Sequence, residues 1–301
     1  MNVNREFSVI APFAIALLSL GYAASADEFG PSAVTGAAES FRVGSLKVNA
    51  LHDAQYVVHN DASVFGVDAG ASAVGALLKA NNLPDDRVTL SVNALLVRTG
   101  KRVILIDSGL GPKANGSLTA SLTAAAVSPI DITDVLITHS HGDHVGGLVT
   151  SDGKLAFPNA TIRMSTPEWE WMKSQPNSAD LVKVIDGHVQ TFTPGGPIVP
   201  GVTSVRLEGH TPGHVGYEIA SGRQRLLDIG DLAHSSVISL KKPEWTTQFD
   251  SDSDLAKATR KATFARLAQT HELVFAPHFP YPGVGHIVVD GTAYAWVPEA
   301  P

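Results

Sequence analysis

Six consecutive residues, His139-Ser140-His141-Gly142-Asp143-His144, hold three imidazoles and a carboxylate directly after the apolar stretch 135–138. With 12 His in 301 residues, such a run arises by chance roughly once in a thousand chains. The apolar stretch reads as a strand that ends in a loop, and residues two apart in extended chain point to the same side. His139 and His141 can therefore share one metal ion. Asp143 and His144, where the chain turns into the next helix, can be aimed at a second. Borderline-soft divalent ions accept such nitrogen and oxygen sets at ~2.0–2.2 Å, with zinc the default.

Three later positions complete a site of this kind. His210 stands in Gly209-His210-Thr211-Pro212-Gly213-His214, where glycine and proline hold an irregular turn. Asp231 ends an apolar stretch in Ile229-Gly230-Asp231, and its two carboxylate oxygens suit it to bridge two ions. His278 follows another such stretch in Ala276-Pro277-His278. All three share with His139 a place at the end of a strand, which predicts that they meet on one rim.

The rest of the chain supplies a frame for that rim. Strand-like stretches fall at 88–97, 103–106, 135–138, 161–164, 204–207, 215–219, 226–229, 273–276 and 286–289. Helical spacing is clearest over 254–270, with Ser253 or Asp254 as the cap, and shorter helices are predicted over 118–126, 167–173 and 179–188. Paired strands followed by strand-helix units occur once in each half, which predicts two packed sheets with helices outside. The Pro194-Gly195-Gly196-Pro197 cluster separates elements without marking a second domain.

Composition narrows the chemistry. The chain has no Cys, so a disulfide framework, a thiolate nucleophile and a Cys-ligated metal are all excluded. Any metal must be held by imidazole and carboxylate. A formal net charge of -7, without a Lys/Arg run, argues against a nucleic-acid partner. Residues 1–26 read as a signal peptide: Arg5 precedes an uncharged run from Phe7, and Ala24-Ser25-Ala26 fits a cleavage site before Asp27. An uncleaved anchor is the other reading, since about 20 apolar residues span a bilayer. Export to the periplasm or beyond is expected, with no membrane attachment after cleavage. Residues 27–40 are expected as a flexible lead-in and 41–301 as the folded domain.

The pattern His-x-His-x-Asp-His, then Gly-His-Thr-x-Gly-His, then Gly-Asp, then a late His resembles the metallo-β-lactamase superfamily over about residues 41–297. The Ile106-Asp107-Ser108-Gly109 strand end matches that family's first motif. Segments 155–160, 246–252 and 279–287, which hold no ligand, are most similar to the methyl parathion hydrolase branch. The resemblance implies an α/β fold, a four-layer αββα sandwich with two divalent metal ions between the sheet edges. It implies that His139, His141 and His210 hold one ion, that Asp143, His144 and His278 hold the other, and that Asp231 bridges. A hydroxide shared by two ions ~3.5–4 Å apart would be the nucleophile, with Asp143 and Asp231 as the catalytic carboxylates. The chain is shorter than that branch after Gly109 and around 178–188, regions that would line the substrate pocket.

Around these ligands the sequence leaves alternatives open. Asp107 either orients a ligand imidazole or is a strand-end turn residue. His214 and His286 stand in glycine-rich turns, where they support the site or bond to backbone, and His234, three residues past Asp231, is a candidate substrate contact. Trp169, Trp171, Phe279 and Tyr281 are either a pocket wall or core. The expected partner is a small-molecule ester or lactone, and a homodimer is compatible with this picture. Aryl esters and aryl-fused lactones rank first because a phenolate departs without a strong acid. Acyl-homoserine lactones rank second and phosphotriesters third. A mononuclear iron oxidoreductase of the same fold is the alternative class.

Overall fold

Two seven-stranded sheets carry the chain in the computed structural model, which describes residues 30–299. The first holds β1 (Gly30–Val43), β2 (Leu46–His59), β3 (Arg87–Thr99), β4 (Arg102–Ile106), β5 (Asp134–Leu136), β6 (Thr161–Ser165) and β7 (Val189–Phe192) in that spatial order. The second holds β8 (Pro197–Val199), β9 (Val202–Arg206), β10 (Val215–Ser221), β11 (Gln224–Asp228), β12 (Leu273–Phe275), β13 (Val284–Asp290) and β14 (Ala293–Pro298), again in order. Helices α1 (Ala71–Ala80), α2 (Leu118–Ala124), α3 (Gly142–Val145), α4 (Thr166–Ser174) and α5 (Ala179–Ile185) belong to the first half, and α6 (Ile238–Lys241) and α7 (Ser253–Thr270) to the second.

Strand alternation builds four layers. Along β3, Leu95 and Val97 face the opposite sheet, where they join Tyr217, Ile219, Leu226 and Phe275. Ala94 and Leu96 face outward onto Leu118 and Leu122 of α2 and Trp169 and Met172 of α4. The outer face of the second sheet sends Leu227, Ile229 and Val274 against Phe264 and Leu267 of α7. Both faces of the central strands are thus covered, which is why they read as unbroken apolar runs rather than alternating ones. The result is the αββα sandwich.

Strand direction places the site. β4 and β5 run parallel, as do β11 and β12, so their carboxyl ends emerge on one edge, where α/β sheets characteristically bind ligands.

Several boundaries differ from the sequence reading. Residues 30–40, expected as a flexible lead-in, belong to β1 and pair with β2. Its Gly, Ala and Ser content is poor in β-branched residues, so pairing rather than propensity makes this strand. The α7 cap is Asp252, whose side chain accepts the Leu255 N–H at 3.0 Å, and not Ser253 or Asp254. The Pro194-Gly195-Gly196-Pro197 cluster carries the chain from the first sheet to the second. The expected signal peptide, residues 1–26, lies outside the described residues.

Candidate metal centre

Three strand ends, one short helix and one turn deliver the ligand candidates. His139 and His141 follow β5, and α3 then presents Asp143 and His144 from successive positions of one turn. Asp231 sits in the short turn Gly230–Leu232 just past β11, and His278 lies just past β12. His210 comes from the turn between β9 and β10. Gly230 is required twice over: its φ is +47°, and a Cβ would lie 2.5 Å from His214 Nε2.

The seven side chains form two sets that share Asp231. In the first, His139 Nε2 lies 3.1 Å from His141 Nδ1 and 3.2 Å from His210 Nε2, with 2.9 Å between the last two. Asp231 Oδ2 closes this set at 3.5 Å from His139 Nε2 and 3.3 Å from His210 Nε2. A tetrahedron with bonds of 2.0–2.1 Å has edges of about 3.3 Å, so these four atoms describe the cage of one ion. In the second set, Asp231 Oδ1 lies 3.2 Å from His144 Nε2 and 3.1 Å from His278 Nε2. Asp143 Oδ2 completes it at 3.8 Å and 3.5 Å from the same two nitrogens. His144 Nε2 and Asp231 Oδ1 are buried without a hydrogen-bond partner. Leaving such atoms unpaired costs about 1–3 kcal/mol each, and a cation between them removes that cost. The donor set therefore fits two divalent ions bridged by Asp231.

Outer contacts fix which nitrogen each ring offers. His144 Nδ1 donates to Asp107 Oδ2 at 2.8 Å, while Asp107 Oδ1 accepts the Thr138 N–H at 2.8 Å. His210 Nδ1 donates to Asp250 Oδ1 at 3.1 Å, and Arg260 Nη2 holds the other oxygen of Asp250 at 2.8 Å. His278 Nδ1 donates to the Ser91 carbonyl at 2.8 Å. Each ring so tied keeps Nε2 for a metal. His214 acts one step further out: its Nδ1 donates to the Leu207 carbonyl at 2.8 Å, and its Nε2 accepts the backbone N–H of Asp231 at 3.1 Å.

The sequence profile described as "Metallo-beta-lactamase superfamily" matches residues 87–278, from the start of β3 to the last ligand candidate. The chain belongs to the metallo-β-lactamase superfamily. Among solved structures, it is similar to AidC, a dizinc quorum-quenching lactonase in complex with the product N-hexanoyl-L-homoserine. That likeness has 30% identity and a TM-score of 0.84 over 89% of this chain and 99% of the other. AbOPH, a hydrolase of the beta lactamase superfamily, is similar at 30% identity and a TM-score of 0.80, over 90% and 99% of the two chains. Metallo-beta-lactamase domain-containing protein 1 of Xenopus laevis is 32% identical over 121 residues, 40% of this chain and 43% of that protein. An atrochrysone carboxyl ACP thioesterase of Aspergillus fumigatus is 34% identical over 122 residues, 40% of this chain and 24% of that protein. These two matches thus span less than half the length of the curated relatives.

Within this superfamily member the buried rings and carboxylates set each other's protonation. Burial drives the His139 imidazole well below its usual range, with His144 adding to the effect. Burial, then His210, brings His141 down to about 4 and His214 down to about 3. Burial opposes charge on His210 too, but Asp231 and Asp250 outweigh it and lift that ring to about 9. Burial would raise the Asp231 carboxyl, yet His278, His144 and His139 hold it well below the usual carboxylate range. Without metal, a proton on His210 stands in for a cation beside Asp231.

The supporting residues divide. Asp107 and His214 meet ligands as described, and His234 lies in the site with Nε2 3.2 Å from Asp231 Oδ2, its ring stacked on His278 at 5.4 Å. His286 does not belong there. Its ring contacts the Glu272 carbonyl and the Glu299 carboxylate at 3.2 Å and 3.1 Å. β13 runs antiparallel to β12, so two residues past Val284 the chain has already turned away from the metal edge. Trp169 and Phe279 are core residues rather than pocket walls, whereas Trp171 places its ring 5.8 Å from that of His141. Tyr281 stacks on His52 at 4.7 Å. A cavity of about 340 Å³ opens over the two sets, and its apolar wall is Tyr56, Leu90, Leu110 and Phe249. None of these four was singled out by the sequence, nor was Asp250; Phe249 and Asp250 stand inside the 246–252 segment that carried the resemblance.

Proposed function

We propose that this protein is a two-metal hydrolase that opens lactones and cleaves aryl esters. The observation that carries this reading is the Asp231 carboxylate, with Oδ2 in one ligand set and Oδ1 in the other. Held by His139, His141, His210, Asp143, His144, His278 and Asp231, two divalent ions, zinc by the nitrogen-rich donor set, would supply there a water acidified toward pKa ~7 and a Lewis acid for the carbonyl oxygen.

The chain's own residues then do the positioning. Asp231 sets the spacing of the two sets, and the tethers from Asp107, Asp250 and the Ser91 carbonyl hold the rings in place. Asp143 lines the cavity with its side chain 27% exposed, and in this reading its carboxylate takes up the proton released as water adds across the C–O bond. His234 Nε2, buried without a hydrogen-bond partner and lining the same cavity, is the donor to a substrate oxygen. Tyr56, Leu90, Leu110 and Phe249 exclude water from the reacting group and favour an apolar or aromatic arm. A phenolate or a ring alkoxide leaves, and the phenolate needs little protonation.

Acyl-homoserine lactones form the second reading. The similarity to AidC supports it, as does a further cavity of about 390 Å³, which shares the His278 wall and includes Leu78, Leu83, Pro84 and Tyr281. Phosphotriesters rank third, because the regions after Gly109 and around 178–188 are short. Comparing kcat/KM across aryl esters, lactones and phosphotriesters tests the order. A phosphotriester value well above every ester and lactone would overturn it. We propose in addition that the protein is exported, on the character of residues 1–26. N-terminal sequencing of periplasmic protein should read from Asp27, and an intact Met1 in the cytoplasmic fraction would contradict it.

A further inference from the structure

The Glu168 side chain, fully buried on α4, receives four donors from two different loops. Oε1 accepts the Ser140 N–H and the Ser140 hydroxyl, each at 2.7 Å. Oε2 accepts the Thr211 hydroxyl at 2.6 Å and the Gly213 N–H at 3.1 Å. Ser140 lies between His139 and His141, and Thr211 directly follows His210. One carboxylate therefore ties together the two loops that supply all three imidazoles of the first set.

Neighbouring contacts tighten this brace. The Ser165 hydroxyl accepts the Glu168 N–H at 3.2 Å and donates to the Gly213 carbonyl at 2.6 Å, so the 209–214 turn is docked on the start of α4 twice. Gly213 has no room for a side chain, since a Cβ would fall 2.1 Å from the Glu168 nitrogen. The second set is held by other groups: Asp107 orients His144, and the Ser91 carbonyl orients His278.

We propose that Glu168 is a positioning residue that sets the geometry of the His139, His141 and His210 site alone, and so fixes the relative affinity of the two ions. This rests on the two-ion reading above. In Glu168→Gln one end of the amide still accepts from Ser140, but the NH2 end meets the Gly213 N–H donor to donor, and the 209–214 turn is left with only its Ser165 contact at the start of α4. Thr211→Val removes a single donor and leaves the carboxylate in place.

The test is a competitive chelator titration of zinc-loaded wild type, Glu168→Gln and Thr211→Val, with ions retained per chain as the readout. The cobalt-loaded forms, followed by their visible absorption, report each site without any turnover. Wild type should retain two ions. Glu168→Gln should release one ion about 10–100-fold more readily, the usual effect of losing an outer contact, and keep the other at wild-type affinity. Thr211→Val should weaken the same ion by less, and it decides the matter if the Gln variant does not fold by circular dichroism. A wild-type chain that binds fewer than two ions overturns the two-ion premise. Two ions in wild type, with the variants losing neither or losing both equally, overturns the role of Glu168 alone.

Discussion

At the scale of single residues, function turns on side chains whose partners are remote in sequence. Replacing Asp231 by Ala removes a ligand atom from each set, and the expected outcome is lower occupancy at both positions with turnover nearly abolished, read by elemental analysis beside kcat. His214 leads to a stability prediction with a definite sign. Its folded-state value of about 3 lies below the ordinary imidazole value of 6.5, so the neutral ring contributes stability that is complete above 6.5. That contribution is lost as pH falls toward 3. In metal-free protein the unfolding free energy should therefore lose about 1.4 kcal/mol per pH unit from this one proton across that window. Denaturant titrations should show the slope reduced by that amount in His214→Gln, and an unchanged slope would remove His214 as its source. The seven ligand candidates were legible because each closes an apolar strand or a Gly/Pro turn, a local signal. Asp250 and Glu168 were not singled out: the imidazole that Asp250 holds is 40 residues away and the partners of Glu168 are 28–45 residues away, so neither role shows in the neighbouring residues.

Among the elements, β2 and the loop after β4 show how irregular backbone shapes the pocket. The β2–β3 register shifts between His52 and Ala54, and a bulge there re-aims the intervening side chain. Asp53 accepts the Leu110 N–H at 2.7 Å and the Leu118 N–H at 2.8 Å, which pins the loop that brings Leu110 to the cavity. Gly109 is needed at this approach, because a Cβ would lie 2.4 Å from the Asp53 carboxylate. Asp53→Ala leaves those donors without their acceptor and should cost about 1–3 kcal/mol. KM for a bulky aryl ester should rise several-fold while metal content stays at the wild-type value; loss of metal instead would show that the loop supports the ligands rather than the pocket. The sequence offered little warning of this loop or of β1 and β2. Their strands are made by pairing, and the bulge breaks the alternation on which strand reading depends. Helix α7 was read correctly over its length because a 3.6-residue period repeats for several turns, with only its cap misplaced by a residue or two.

Seen whole, the molecule places four carboxyl strand ends on one edge of two packed sheets, and that arrangement followed from the repeated strand-helix order in each half. His286, left open between supporting the site and bonding to backbone, takes the second course, because β13 reverses direction and leads it away from the metal edge. Because the ligand atoms are buried, ions bound only by the folded chain should stabilise it. At a hundred-fold excess over Kd the gain is about 2.7 kcal/mol per ion, and chelation should lower Tm by about 5–10 °C for each ion removed from a domain of this size. Restoring zinc should restore both Tm and activity. The central claim, a binuclear hydrolytic centre bridged by Asp231, is tested most directly by elemental analysis of the purified active protein beside its Asp231→Ala variant. The account predicts about two divalent ions per chain in the active form and a marked loss at both positions in the variant; a single tightly bound iron in the active form would contradict it.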